Sequence, residues 1–109
     1  MPISPSVPEI DGLIHEPARL RILALLALVE RADFMYILRH TALSRGNLSV
    51  QLGRLEAAGI IELERQLDGR RPRTTYFLTE AGLEALGRYR STLSSFLAAF
   101  PDDAAGGSR

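Results

Sequence analysis

The 109-residue chain contains no cysteine. That absence excludes a disulfide framework, a thiolate metal site and a cysteine nucleophile together. Lysine is also missing: all 13 basic residues are arginine, so every cation is a planar fork of donors suited to phosphate and to guanine edges. Long apolar runs are lacking, since Ile22 to Val29 is only eight residues, far short of the ~20 that cross a bilayer. Met1 to Pro8 holds three prolines and no positive charge, unlike a signal peptide. These absences lead us to expect a cytoplasmic chain with no membrane partner. His15 and His40 stand alone without a local cluster that completes even three ligands, so no metal or cofactor is expected. The serines are accompanied by no His/Asp arrangement and no glycine-rich phosphate loop, which argues against an enzyme.

What is present is the composition of one ordinary globular domain, 46% hydrophobic and 24% charged. Net charge is zero but unevenly spread. Residues 1–38 carry three arginines against five acids, residues 39–79 seven against four, and residues 80–109 three against four. The positive charge is concentrated in the middle.

Read by periodicity and caps, residues 1–7 form a loose, proline-broken arm and residues 8–100 the folded domain, with a small, glycine-rich, disordered tail over 101–109. Pro8 starts a short helix to His15, and Pro17 starts a second that runs to about Arg31, apolar nearly all round. A helix with two buried faces in so small a domain suggests that a second chain covers one of them. Asp33 caps a helix from Phe34 to His40; Thr41 to Leu43 turn; Ser44 caps another helix to Ala58, stopped by Gly59. Ile60 to Leu67 and Arg73 to Leu78 read as a two-stranded hairpin around an Asp68-Gly69 turn, with Arg70-Arg71-Pro72 prolonging the loop. Thr79 caps a last helix that extends to Phe100. The fold class is mainly α with a β-hairpin.

The helix after Ser44 has two chemical faces. Leu48, Leu52 and Leu55 form one apolar stripe for the core. The opposite side presents Gly46, Asn47, Ser49, Val50, Gly53, Arg54 and Ala57, flanked by Arg45 and Gln51, with no carboxylate until Glu56. A helix entering the major groove needs such a surface: close approach, donors and acceptors for base edges, and no repulsion from phosphate. An ordinary solvated face looks similar, and so does a face that binds protein. Arg70, Arg71 and Arg73 at the hairpin tip suit phosphate or the narrow minor groove of A·T tracts, though such a tip also serves simply as a soluble loop. On the last helix, Leu86, Tyr89, Leu93, Phe96 and Phe100 follow the 3-4-3-4 spacing of a coiled-coil seam, which either packs on the chain's own core or meets a symmetric partner.

Three segments resemble bacterial winged helix-turn-helix regulators: Glu16 to Leu26 their first core helix, Leu43 to Ile61 their recognition helix and first wing strand, and Gly69 to Gly82 their wing and the start of their carboxy-terminal helix. The resemblance covers roughly residues 10–92 and is nearest the small single-domain ArsR/MarR-like branch. It implies a homodimeric transcriptional regulator that binds a pseudo-palindromic operator in double-stranded DNA. Base reading then falls to Arg45, Gly46, Asn47, Ser49, Val50 and Gln51, backbone or minor-groove contact to Arg54, Arg70, Arg71 and Arg73, and dimerisation to the helices at both ends. Metal-sensing members carry cysteine pairs or His/Asp/Glu clusters that this chain lacks, and the sequence names no effector. A winged-helix module that binds protein instead of DNA stays open, favoured by the zero net charge.

Overall fold

The computed structural model describes residues 6–102. Residues 1–5 of the expected arm and 103–109 of the expected tail lie outside the described residues. In chain order the elements are α1 (Pro17–Val29), β1 (Ala32–Asp33), α2 (Phe34–Thr41), α3 (Arg45–Ala57), β2 (Ile61–Asp68), β3 (Arg71–Leu78) and α4 (Glu80–Ala99). This is a winged helix: a helix-turn-helix of α2 and α3, a β-hairpin, and flanking helices.

Each helix starts where a side chain accepts an orphan backbone N–H. Glu16 accepts from Arg19 N at 2.8 Å and Asp33 from Tyr36 N at 2.8 Å. Ser44 accepts from Asn47 N at 3.1 Å and Thr79 from Gly82 N at 2.9 Å. The backbone bond to Arg19 holds the Glu16 carboxyl below its ordinary value. Between α2 and α3 the chain turns through Ala42 in the left-handed region, φ 58°.

Three expectations are corrected, the third at the hairpin. No helix forms over 8–15. Asp11 instead accepts from the backbone N–H of Leu13 at 2.9 Å and of Ile14 at 3.4 Å, a local turn that competes with helical bonding. Pro17 then holds Glu16 extended. The sheet also has three strands, in the order β1-β3-β2, all antiparallel. Ala32 and Asp33 pair with Tyr76 and Thr75.

The hairpin is tighter than its sequence implies. Pairing continues to Asp68 opposite Arg71, leaving a two-residue turn, Gly69-Arg70. Positive φ occurs there only at Gly69, 67°, the pattern of a type II′ turn. Arg71 and Pro72 therefore lie in β3 and not in a loop, ahead of Arg73 where the strand was expected to start. Pro72 stands opposite Leu67, where β3 has a neighbour on one side only, so a residue without an N–H is accommodated at the open edge.

Ile14, Ile22, Leu23, Leu26, Ile37, Leu48, Leu55 and Ile61 form the fully buried centre of the core. The foot of α4 is fastened to the junction between α3 and β2. Thr79 N donates to the Ile60 carbonyl at 3.0 Å, and its hydroxyl to the Gly59 carbonyl at 2.6 Å. Gly82 packs so close that a Cβ there would lie 2.1 Å from the Ile60 carbonyl oxygen. Farther along, α4 leaves the body. The radius of gyration is 17.8 Å, against about 13 Å for a compact domain of this size.

Gly82→Ala must push α4 off the junction and should destabilise the fold by about 1–3 kcal/mol. Gly87, on the same helix, has nothing within 4 Å of a built Cβ. Gly87→Ala should stabilise by up to about 1 kcal/mol through helix propensity. Urea denaturation of both variants checks the pair, and equal shifts would refute the close approach.

Candidate nucleic-acid interface

The stripe on α3 sets which residues look outward. Leu48 is 0% exposed, Leu52 3% and Leu55 0%. On the other side Arg45, Gly46, Asn47, Ser49, Val50, Gly53, Arg54 and Ala57 are all exposed. Neither Gly46 nor Gly53 would bring a Cβ within 4 Å of any atom, so neither is required by the chain's own packing. They leave a low surface across which another molecule can approach the backbone. Arg45 leans over α2, its Nη1 lying 3.7 Å from Met35 Sδ.

Gln51 is not on that surface. Helical spacing puts it at the flank of the exposed face, but it is 8% exposed. The reason is Arg19, a residue that sequence reasoning missed. The Arg19 guanidinium is itself buried between α1 and α3. Its Nη1 donates to Gln51 Oε1 at 2.6 Å, its Nε to the Leu13 carbonyl, and its Nη2 to the Gly12 carbonyl at 3.4 Å. Gln51 in turn donates from Nε2 to Asn47 Oδ1 at 3.0 Å. A buried cation drew the glutamine inward because each of its N–H groups needs an acceptor. The only sequence signal was the arginine itself, four residues before Leu23 on an otherwise apolar face.

At the wing, Arg70 and Arg71 are exposed beside the turn. Arg73 acts lower down: its Nη2 lies 3.2 Å from Asp33 Oδ2, joining β3 to the carboxylate that caps α2. Arg31 braces the inner end of the hairpin, 2.7 Å from Glu64 Oε1 and 4.3 Å from the centre of the Phe77 ring.

The expected seam on α4 is divided. Tyr89 is 7% exposed and belongs to the chain's own core, its hydroxyl 2.9 Å from His15 Nδ1. Its ring also lines the open groove between α1 and α4 that Leu86 and Leu93 border. Phe100 lies beyond the last residue of α4, in extended backbone, and is 60% exposed. Leu86, Leu93 and Phe96 are half-buried. Leu86 and Leu93 line an open apolar groove of 390 Å³ with Leu20, Leu23, Ala24 and Ala27 of α1. His40 stacks on Tyr36, ring centres 4.2 Å apart. Among the described residues no group of three His, Asp or Glu is placed to hold a metal ion, and no helix is long and apolar enough to cross a membrane.

This geometry agrees with that of known proteins. The family model described as a winged helix DNA-binding domain matches residues 18–97, and the chain belongs to that family. A transcriptional regulator homologue protein from Pyrococcus horikoshii OT3 is similar in structure, with TM-score 0.74, 28% identity, and 81% of this chain and 87% of that one covered. Reduced AbfR bound to DNA aligns at TM-score 0.64 and 27% identity over 77% of this chain and 56% of that one. The transcriptional repressor CouR, bound to a 23-mer DNA duplex, aligns at TM-score 0.63 and 26% identity over 72% and 54%. The chain thus spans little more than half of AbfR and CouR. No curated protein matches it in sequence.

Arg19→Leu should leave two backbone carbonyls and Gln51 Oε1 without their donor and destabilise the fold by about 2 kcal/mol or more. Urea denaturation checks this. An unchanged midpoint would mean that water replaces the guanidinium at no cost.

Proposed function

We propose that the chain is a sequence-specific double-stranded DNA-binding regulator of the ArsR/MarR-like kind. It acts as a homodimer on a pseudo-palindromic operator and is not an enzyme. The observation that carries this reading is the outward face of α3. From Arg45 to Arg54 it offers two glycines, hydrogen-bonding side chains and arginine, and no carboxylate. The Val50 methyl groups suit a thymine methyl, and Arg45 and Arg54 suit guanine or phosphate. Arg70 and Arg71 extend the surface to the backbone or the minor groove. The DNA-bound structures of AbfR and CouR support a duplex as the partner.

The homodimer is supported by the groove between α1 and α4 and by the apolar side chains exposed on the same two helices and just past the end of α4, Leu28, Leu83, Leu97 and Phe100. A second copy laid along α4 buries them and supplies the second reading head that a palindrome requires.

Binding to genomic fragments by mobility shift, followed by comparison of the selected operator with a scrambled duplex, tests the DNA reading. Gly46→Leu should lose the operator and keep the scrambled duplex, because a bulky side chain holds the helix away from the base pairs. Arg70→Ala with Arg71→Ala should weaken both duplexes and lower the salt slope by about one for each phosphate no longer neutralised. Equal losses on both duplexes for Gly46→Leu would favour the protein-binding module instead.

Replacing Leu93 and Phe96 together by aspartate should convert the dimer to monomer in sedimentation, since two unpaired charges in an apolar interface outweigh what a small interface supplies. A wild-type protein that is monomeric at micromolar concentration would refute the interface.

A further inference from the structure

We infer that Gln51 sets the direction of the Asn47 side-chain amide, so that Asn47 offers DNA a hydrogen-bond donor and reads a base that presents acceptors. This rests on the DNA-reading function proposed above and adds which chemistry Asn47 recognises.

The chain of polarity begins at Arg19, whose guanidinium has donors only. Gln51 must therefore turn Oε1 toward it, as the 2.6 Å contact with Nη1 shows. The reverse orientation would set an NH₂ group against a buried cation, donor against donor, where water cannot intervene. With Oε1 so committed, Gln51 has only Nε2 to offer Asn47, one turn earlier on the same face. Asn47 answers with Oδ1, at 3.0 Å. Its Nδ2 is left on the exposed side of α3. A polarity imposed by one buried arginine is thus carried through two amides to the surface.

The consequence for recognition is specific. Asparagine ordinarily matches adenine by donating to N7 while accepting from N6. Here the accepting oxygen is turned inward, which removes the bidentate match and leaves adenine only its N7 acceptor beside an opposing N6 donor. Guanine, with acceptors at N7 and O6, and thymine, with O4, suit an outward donor. Cytosine, which presents only the N4 donor, opposes it.

The test is selection from a random-sequence duplex library with the full chain, its Asn47→Asp variant and its Gln51→Glu variant. Asn47→Asp sits on the surface, keeps an acceptor for Gln51 and turns an acceptor outward, so the base pair whose preference it changes is the one Asn47 reads. In the wild type that position should be guanine or thymine. Gln51→Glu keeps an acceptor for Arg19 but faces Asn47 with an acceptor instead of a donor. Asn47 should then turn over, and the same position should shift to cytosine or adenine by about tenfold, without any charge added to the DNA-facing surface. A weaker Gln51→Glu protein with the wild-type base preference would overturn the inference, because a merely structural role lowers affinity evenly.

Side-chain amide exchange measured by NMR on the DNA-free protein checks the relay independently. One Gln51 amide hydrogen should exchange slowly and both Asn47 amide hydrogens quickly, with an Asn47 hydrogen becoming protected in Gln51→Glu. Equal rates for Gln51 and Asn47 in the wild type overturn the relay whatever DNA is bound. A protected Gln51 hydrogen with no selected sequence would instead overturn the DNA reading, and the role of Asn47 in specificity with it.

Discussion

The rotational setting of α3 about its own axis is the constraint on which the rest depends. Leu48, Leu52 and Leu55 are buried almost completely, and each contributes about 1.5–3 kcal/mol by leaving water. A net hydrogen bond contributes about 1 kcal/mol. No single polar contact on α3 can therefore turn the helix against its leucines. The stripe faces inward, and Gly46, Val50 and Ala57 must face outward. Gln51, about 60° around the helix from Leu48 at ~100° per residue, comes to the boundary.

The same setting places the elements that follow. After α3 the chain reverses through Gly59, at φ 78°, and Ile60 turns its carbonyl to the foot of α4. One carbonyl group thus receives the N–H of Thr79 and the bare face of Gly82. The hairpin lies between these two points, so wing and last helix are both referred to the end of α3. Arg73 and Arg31 then tie the sheet to α2 and α1, through Asp33 and through Glu64 and Phe77. Exposed ion pairs of this kind each add little to stability. Their effect here is on the direction of the wing.

Local chemistry made much of this legible in the sequence. Asp33, Ser44 and Thr79 are short acceptors immediately before apolar-periodic stretches, and each caps a helix as expected. The apolar stripe of α3 could be counted at helical spacing, and the outward face followed by subtraction. What was not legible depends on partners distant in the chain. Ala32 and Asp33 are too short to show alternation and become a strand only because Tyr76 and Thr75 pass beside them. Pro72 reads as a loop residue until the free edge of β3 is known. The burial of Gln51 required Arg19, 32 residues away. Tyr89 satisfies a coiled-coil spacing and a core position equally well, and its contact with His15, 74 residues away, could not be read from the sequence.

The zero net charge bears on how such a protein binds DNA. Long-range attraction follows the summed charge and is small here, while affinity from counterion release follows the number of phosphates actually neutralised. Several arginines are turned to internal work: Arg19 in the core, Arg31 and Arg73 in ion pairs that orient the wing. On the proposed reading, Arg45, Arg54, Arg70 and Arg71 then supply the local charge, and one copy neutralises few phosphates. Two copies on one duplex double that number whatever its sequence, so the phosphate contacts add affinity and no preference. On the same proposed reading, a chain balanced in this way depends on base-edge recognition for much of its preference, and the orientation of one asparagine amide becomes consequential.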